Sequence, residues 1–141
     1  MKAIEAYSIC KSFKATKALE DISLSIDEAE IFGLIGPDGA GKTSLFRILT
    51  TLSLPDAGTA SVCGMDIVRD CRHIRASIGY MPGHFALYQD LSVEENLNFY
   101  ATVFGTDVKS NYDNIKDIYC QLEPFRKRRA GALSGGMKQK L

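Results

Sequence analysis

Alternating polar and apolar residues open the chain, and helical spacing replaces them further on. Ile22, Leu24 and Ile26 alternate with Ser23 and Ser25, which predicts a half-exposed strand. Ile31-Phe32-Gly33-Leu34-Ile35 is a short unbroken apolar run, which predicts a strand buried on both faces, as in a parallel sheet. Gly36-Pro37-Asp38-Gly39 then forms a turn cluster, and Leu45, Ile48, Leu49 and Leu52 recur at helical spacing. The local order is therefore strand, glycine loop, helix. Pro55-Asp56-Ala57-Gly58 predicts another turn. A strand is expected over 59–63, a short helix over 70–76 and a further strand over 77–81.

The character changes after Pro82. Ser92 and Glu95 make a capping box, so a helix should begin near Val93, with Val93, Leu97, Ala101 and Phe104 as its apolar face. Val108, Tyr112, Ile115, Tyr119 and Leu122 stripe a second helix that Pro124 ends. Both stripes read as core faces.

Composition narrows the class. The chain has 141 residues, 45% of them apolar and 24% charged, which is globular and enough for one domain with a real core. Lys+Arg and Asp+Glu both number 17, so no basic excess marks a nucleic-acid binder, and none is expected as a partner. The dense run Arg126-Lys127-Arg128-Arg129 reads as a solvated surface turn. Cys10, Cys63, Cys71 and Cys120 show no metal-site or C-x-x-C spacing, so small buried thiols in a reduced, intracellular chain are expected. The N-terminus lacks the apolar core of a signal peptide, and no apolar run approaches the ~20 residues of a membrane span.

The stretch GPDGAGKTS fills every fixed position of G-x-x-x-x-G-K-[ST], with Gly36, Gly41, Lys42 and Thr43. Phosphate oxygens need donors packed closely around them, and backbone N–H groups supply these where side chains are absent. Gly36, Pro37, Asp38, Gly39, Ala40 and Gly41 form such a loop, and a helix opening at Lys42, Thr43 and Ser44 turns its positive end to the same anion. The Lys42 ammonium should reach the β- and γ-phosphates, and the Thr43 hydroxyl should ligate Mg²⁺.

With that loop in place, Leu133-Ser134-Gly135-Gly136-Met137-Lys138-Gln139 becomes informative. It resembles the signature motif of ATP-binding-cassette (ABC) ATPases. Residues 2–141 look like the first half of such a nucleotide-binding domain. EIFGLIGPDGAGKTSLFRIL and IGYMPGHFALYQDLSVEENL are most like the ATPase subunits of multidrug exporters. The resemblance implies an α/β P-loop NTPase fold with a RecA-like core, an N-terminal antiparallel β subdomain and part of the ABC helical subdomain. Residues 1–82 would be the β subdomain and P-loop core, and 83–141 the helical subdomain up to the signature.

It further implies Mg²⁺ and ATP as ligands and Phe13 as an aromatic that stacks on adenine; on the residues alone Phe13 is an ordinary strand-end hydrophobe. The segment 133–139 would meet the γ-phosphate of ATP held by a second nucleotide-binding domain in a head-to-tail dimer. Residues 83–89 would face a membrane permease, placing the protein on the cytoplasmic face of the membrane. Gly83 stands where the family usually has a glutamine that contacts Mg²⁺ and the attacking water, and Gln89 lies too far along to replace it. Asp38 replaces a more usual Asn or Ser, and its carboxylate is expected to face away from the phosphates. Ala29 replaces a common glycine. The family places its acidic Mg²⁺ strand, catalytic glutamate and switch histidine beyond the position of Leu141. The expectation is therefore that these residues bind ATP without turnover. Two other readings stand beside transport: a soluble non-transport ABC ATPase, and a nucleotide-binding module without turnover.

Overall fold

A computed structural model describes residues 2–141. It divides into two compact units, Met1–Tyr80 and Met81–Leu141.

The first unit is built on strands β1 (Lys2–Phe13), β2 (Thr16–Asp27), β3 (Ala57–Val62) and β4 (Met65–Asp66). They form an antiparallel sheet in the order β2-β1-β3-β4. The alternation in β2 does what period 2 requires: Ile26 is buried, Ile22 and Leu24 are half-buried, and Ser23 and Ser25 face solvent. Ile4 of β1 stands opposite Ile26 on one side and Val62 on the other, and this pairing fixes which face the whole sheet buries.

Helices α1 (Lys42–Leu49) and α2 (Cys71–Ser77) complete this unit. Leu45, Ile48 and Leu49 of α1 and Ile74 of α2 join Ala6, Ile9, Leu19, Ala60, Val62 and Ile67 in one core. Arg75 fastens the two helical segments, donating from Nε to Thr51 Oγ1 at 2.8 Å and from its NH2 to the Thr51 carbonyl at 2.6 Å.

The second unit holds α3 (Val93–Val103), α4 (Tyr112–Tyr119) and α5 (Gly135–Lys140), with single 3₁₀ turns at Glu123–Phe125 and Ala130–Ala132. Its core is Val93, Leu122, Ala130 and Leu133, flanked by Phe85, Leu97, Tyr119, Phe125 and Met137. The capping box forms as the sequence predicts: the Glu95 N–H donates to Ser92 Oγ, and the Ser92 N–H donates to the Glu95 carboxylate. The carbonyls of Arg128 and Arg126 accept from the Val93 and Glu94 N–H groups. The basic run is thus exposed, as expected of a surface turn, while its backbone closes the start of α3.

Several local expectations fail. The run 31–35 is not a strand: Ile31 is 101% and Ile35 96% exposed, and only Leu34 is half-buried. A doubly buried strand needs a ladder on each edge, and among the described residues the sheet does not extend to this run. Residues 77–81 form no strand for the same reason; α2 occupies their first position and extended chain the rest. Leu52 and Phe104 lie beyond the ends of α1 and α3 and are exposed, because each helix closes before its apolar period does. Val108 and Leu122 lie outside α4, although Leu122 is buried by the turn that follows. The thiols are free but not buried: Cys63 and Cys120 are exposed, Cys10 and Cys71 half-buried.

These differences set an order of stability effects. Ile48 is wholly buried, so Ile48→Ala should cost about 2–5 kcal/mol. Ile31→Ser with Ile35→Ser should change stability by no more than about 0.5 kcal/mol, since neither side chain buries surface. Urea denaturation of the three proteins measures both, and an inverted order would contradict the packing described.

Candidate functional site: a phosphate loop and an exposed helix turn

The glycine loop is built by α1 and β2 together. Gly39 (φ 83°) and Gly41 (φ 85°) are left-handed, and the Ala40 N–H donates to the Pro37 carbonyl at 3.3 Å, closing the turn. Gly41 also lies against β2: a Cβ there would come within 2.1 Å of the Ala18 carbonyl oxygen and 2.8 Å of Leu19 Cδ2. Only glycine satisfies both the angle and the approach.

Helix α1 starts at once after Gly41. No side chain among the described residues caps it, and its first turn carries no acid. Its opening N–H groups therefore keep their partial positive charge for an outside acceptor, in contrast to the saturated start of α3. Lys42 folds back over the loop, its Nζ donating to the Gly36 and Pro37 carbonyls at 2.6 Å each. This holds the ammonium at the mouth of the loop, where an anion can replace one carbonyl partner. Thr43 is exposed at the same end, Ser44 is half-buried, and Gly36, Pro37, Asp38, Gly39 and Ala40 are all exposed.

Phe13 ends β1 at a tight hairpin over Lys14 and Ala15, pairs with Thr16, and is 51% exposed. The hairpin and the glycine loop meet the same end of β2, through Thr16 and Ala18. Lys11 Nζ stands 5.7 Å from the Phe13 ring centroid. Lys11 also donates to Asp56 Oδ1 at 2.7 Å, while Asp56 Oδ2 accepts from the Ser12 N–H at 2.7 Å. This bracing of the strand end was not legible in the sequence, since Lys11 and Asp56 carry no motif.

In the second unit, Ser134 is the N-cap of α5, accepting from the Met137 N–H at 3.4 Å. Gly135, Gly136 and Gln139 are exposed, and nothing lies within 4 Å of a Cβ built on either glycine. Leu133 is buried in the core and Met137 half-buried, so these two anchor the turn and leave its glycines bare. Lys138 Nζ lies 5.5 Å from the Phe85 ring centroid. Gly83 is exposed with open space around it. Tyr88, Phe99 and Tyr100 form an aromatic group, with Tyr88 edge-on to Phe99 at 5.1 Å between centroids. Their spacing gave no signal because Tyr88 precedes the helix that carries the other two.

The brace under Phe13 makes a pH prediction. The Lys11 ammonium, and then the Ser12 N–H, hold the Asp56 carboxyl below the usual carboxylate range. A depressed pKa contributes stability above the unfolded value, and that contribution disappears as pH falls through the folded value. Asp56→Asn should therefore lower the thermal midpoint at neutral pH, and its difference from the parent should vanish by about pH 2. A difference that persists undiminished into acid would show that the carboxylate charge is not the cause.

Known proteins are similar to this chain over nearly its whole length. The family profile described as ABC transporter matches residues 19–141. A probable multidrug ABC transporter ATP-binding protein of Escherichia coli, YbhF, is 46% identical over 127 residues, covering 88% of this chain and 22% of that protein. The Nod factor export ATP-binding protein I of Burkholderia lata is 34% identical over 140 residues, covering 98% of this chain and 46% of its own length. The chain thus spans less than half of either curated relative. A solved structure of an ATP-binding subunit of an ABC transporter superposes with a TM-score of 0.83 at 27% identity, covering 98% of this chain and 58% of that one. The fold is that of the ABC ATPase cassette, with its antiparallel β sheet and helices, and the chain belongs to the ABC transporter family.

Proposed function

We propose that this chain is part of the ATP-binding subunit of an ABC exporter, and that it binds Mg-ATP at residues 36–44. The observation that carries the reading is the start of α1: an uncapped helix end behind two left-handed glycines, with an ammonium held over the same loop. That arrangement suits a polyphosphate and little else. Thr43 would ligate Mg²⁺, and its exposure at the helix start supports this. Phe13 would stack on adenine, for which its half-exposed ring at the neighbouring hairpin is suited.

The turn 133–139 would contact ATP held by a second nucleotide-binding domain, head to tail. The bare backbone at Gly135 and Gly136 favours such close approach. Residues 83–89 would meet a membrane permease and hold the protein at the cytoplasmic face of the membrane; among the described residues no helix is long and apolar enough to cross one. Phosphoryl transfer needs several positioned groups acting together, and Gly83 brings no side chain to Mg²⁺ or water. Residues 1–141 alone would bind nucleotide without turnover.

Lys42→Ala should weaken ATP roughly ten- to a hundredfold, the value of one charge-assisted hydrogen bond. Calorimetric titration measures this, and equal affinities would sink the phosphate-loop assignment. Phe13→Ala should weaken ATP and ADP alike, because both carry adenine; if neither changes, the ring is structural. Asp38→Asn should leave ATP affinity nearly unchanged, and a large gain would show that the carboxylate opposes binding. A pull-down from membranes should recover a permease; recovery of ribosomes or DNA instead would favour a non-transport ABC ATPase.

A further inference from the structure

Asn96 is the one buried polar side chain of the second unit among the described residues, at 1% exposure near the start of α3. Asparagine is a poor helix residue, and an unpaired amide there would be strongly destabilising. Every polar atom of this one is used. Oδ1 accepts from the Tyr88 N–H at 3.0 Å. Nδ2 donates to the carbonyls of Tyr88 at 2.9 Å, Leu91 at 3.3 Å and Ser92 at 3.0 Å. The side chain pairs with Tyr88 as a neighbouring strand would, taking its N–H and its C=O together.

The partners of Asn96 reach further. The Leu91 carbonyl that accepts from Asn96 also accepts from the Ala130 N–H at 2.8 Å. The Gln89 carbonyl accepts from the Gly131 N–H at 2.9 Å, and Ser92 bridges Arg129 antiparallel. Gly131 is packed so closely that a Cβ would come within 3.1 Å of the Gln89 carbonyl oxygen. Ala130 is wholly buried, and the 3₁₀ turn Ala130–Ala132 runs directly into buried Leu133 and the N-cap Ser134. Lys138 of α5 over the Phe85 ring makes a separate tie just outside the ladder.

We infer that Asn96 is a positioning residue: it locks residues 88–92 to residues 129–131 as one hydrogen-bonded ladder, so that the end of the 83–89 loop and the turn leading to Ser134 move together. This rests on the proposed roles of those two segments for its meaning in function. Its physical content is independent of nucleotide. Asn96→Asp keeps the acceptor for Tyr88 but replaces the donor with a carboxylate facing three carbonyls. Protonation at low pH restores a single donor.

The test is residue-resolved amide hydrogen exchange on the 141-residue chain, each rate taken relative to the parent at the same pH. Asn96→Asp should speed exchange at Tyr88, Ala130 and Gly131 together by about tenfold at neutral pH. The Ile67 N–H, bonded to Ala60 in the first unit, should be unchanged, and the effect should shrink as pH is lowered. Acceleration confined to Tyr88, or loss of protection throughout α3 that low pH does not reverse, would overturn the proposal. Gly131→Ala approaches the ladder from its other side. It should shift the Tyr88 and Gln89 amide resonances, and silence at Tyr88 would equally overturn it. The functional reading fails separately, through the titrations and the pull-down described above.

Discussion

The approach of Gly41 to the Ala18 carbonyl is the contact on which the glycine loop and α1 depend. It brings the N-cap of a helix against the start of a strand with no side chain between them. Any larger residue would push α1 outward, since its Cβ would meet the strand backbone rather than the end of a flexible side chain. The position of Lys42 follows from this contact, and so does the direction in which the opening N–H groups of α1 point. The apolar face of α1 follows too: Leu45, Ile48 and Leu49 reach the sheet core only while the helix stays close.

The two helix starts show how one chain uses the same terminus for opposite ends. At α3, four donors are answered locally, by the Ser92 hydroxyl, the Glu95 carboxylate and the carbonyls of Arg126 and Arg128, and the acids Glu94 and Glu95 complement the dipole. That terminus is a finished structural joint. At α1 the capping position is a glycine, no acid follows, and a cation stands beside it. Such a terminus is an unfinished joint, open to an outside acceptor.

Local chemistry was legible in the sequence, and burial was less so. The start of α3 at Val93 could be read from Ser92 and Glu95 because a capping box is a contact between near neighbours. The alternation of β2 could be read because Ile22, Leu24 and Ile26 report one face directly. The run 31–35 misled because a doubly buried strand is defined by its neighbours, and an apolar string does not say whether they are there. Asn96 went unread because an apolar period passes over a polar residue, although it stands on the same helical face as Val93 and Tyr100. At the candidate site, the glycine loop was legible because its spacing encodes backbone angles. Phe13 was not, for a strand-end aromatic looks the same with or without a ligand; only the family resemblance marked it.

The exposed stretch before the loop bears on how tightly a ligand is held. Residues 30–37 belong to no helix or strand, while the far side of the loop is anchored by α1. One arm of the glycine loop is therefore held by a helix and the other by no ladder. A ligand that needs both arms must spend part of its interaction energy on arranging the second, and the measured affinity is lower by that amount. Anything that pairs with the apolar run would supply the order in advance. Strand pairing at Ile31 and Ile35 and the affinity of any ligand for the glycine loop would then be thermodynamically linked, each strengthening the other by the same factor.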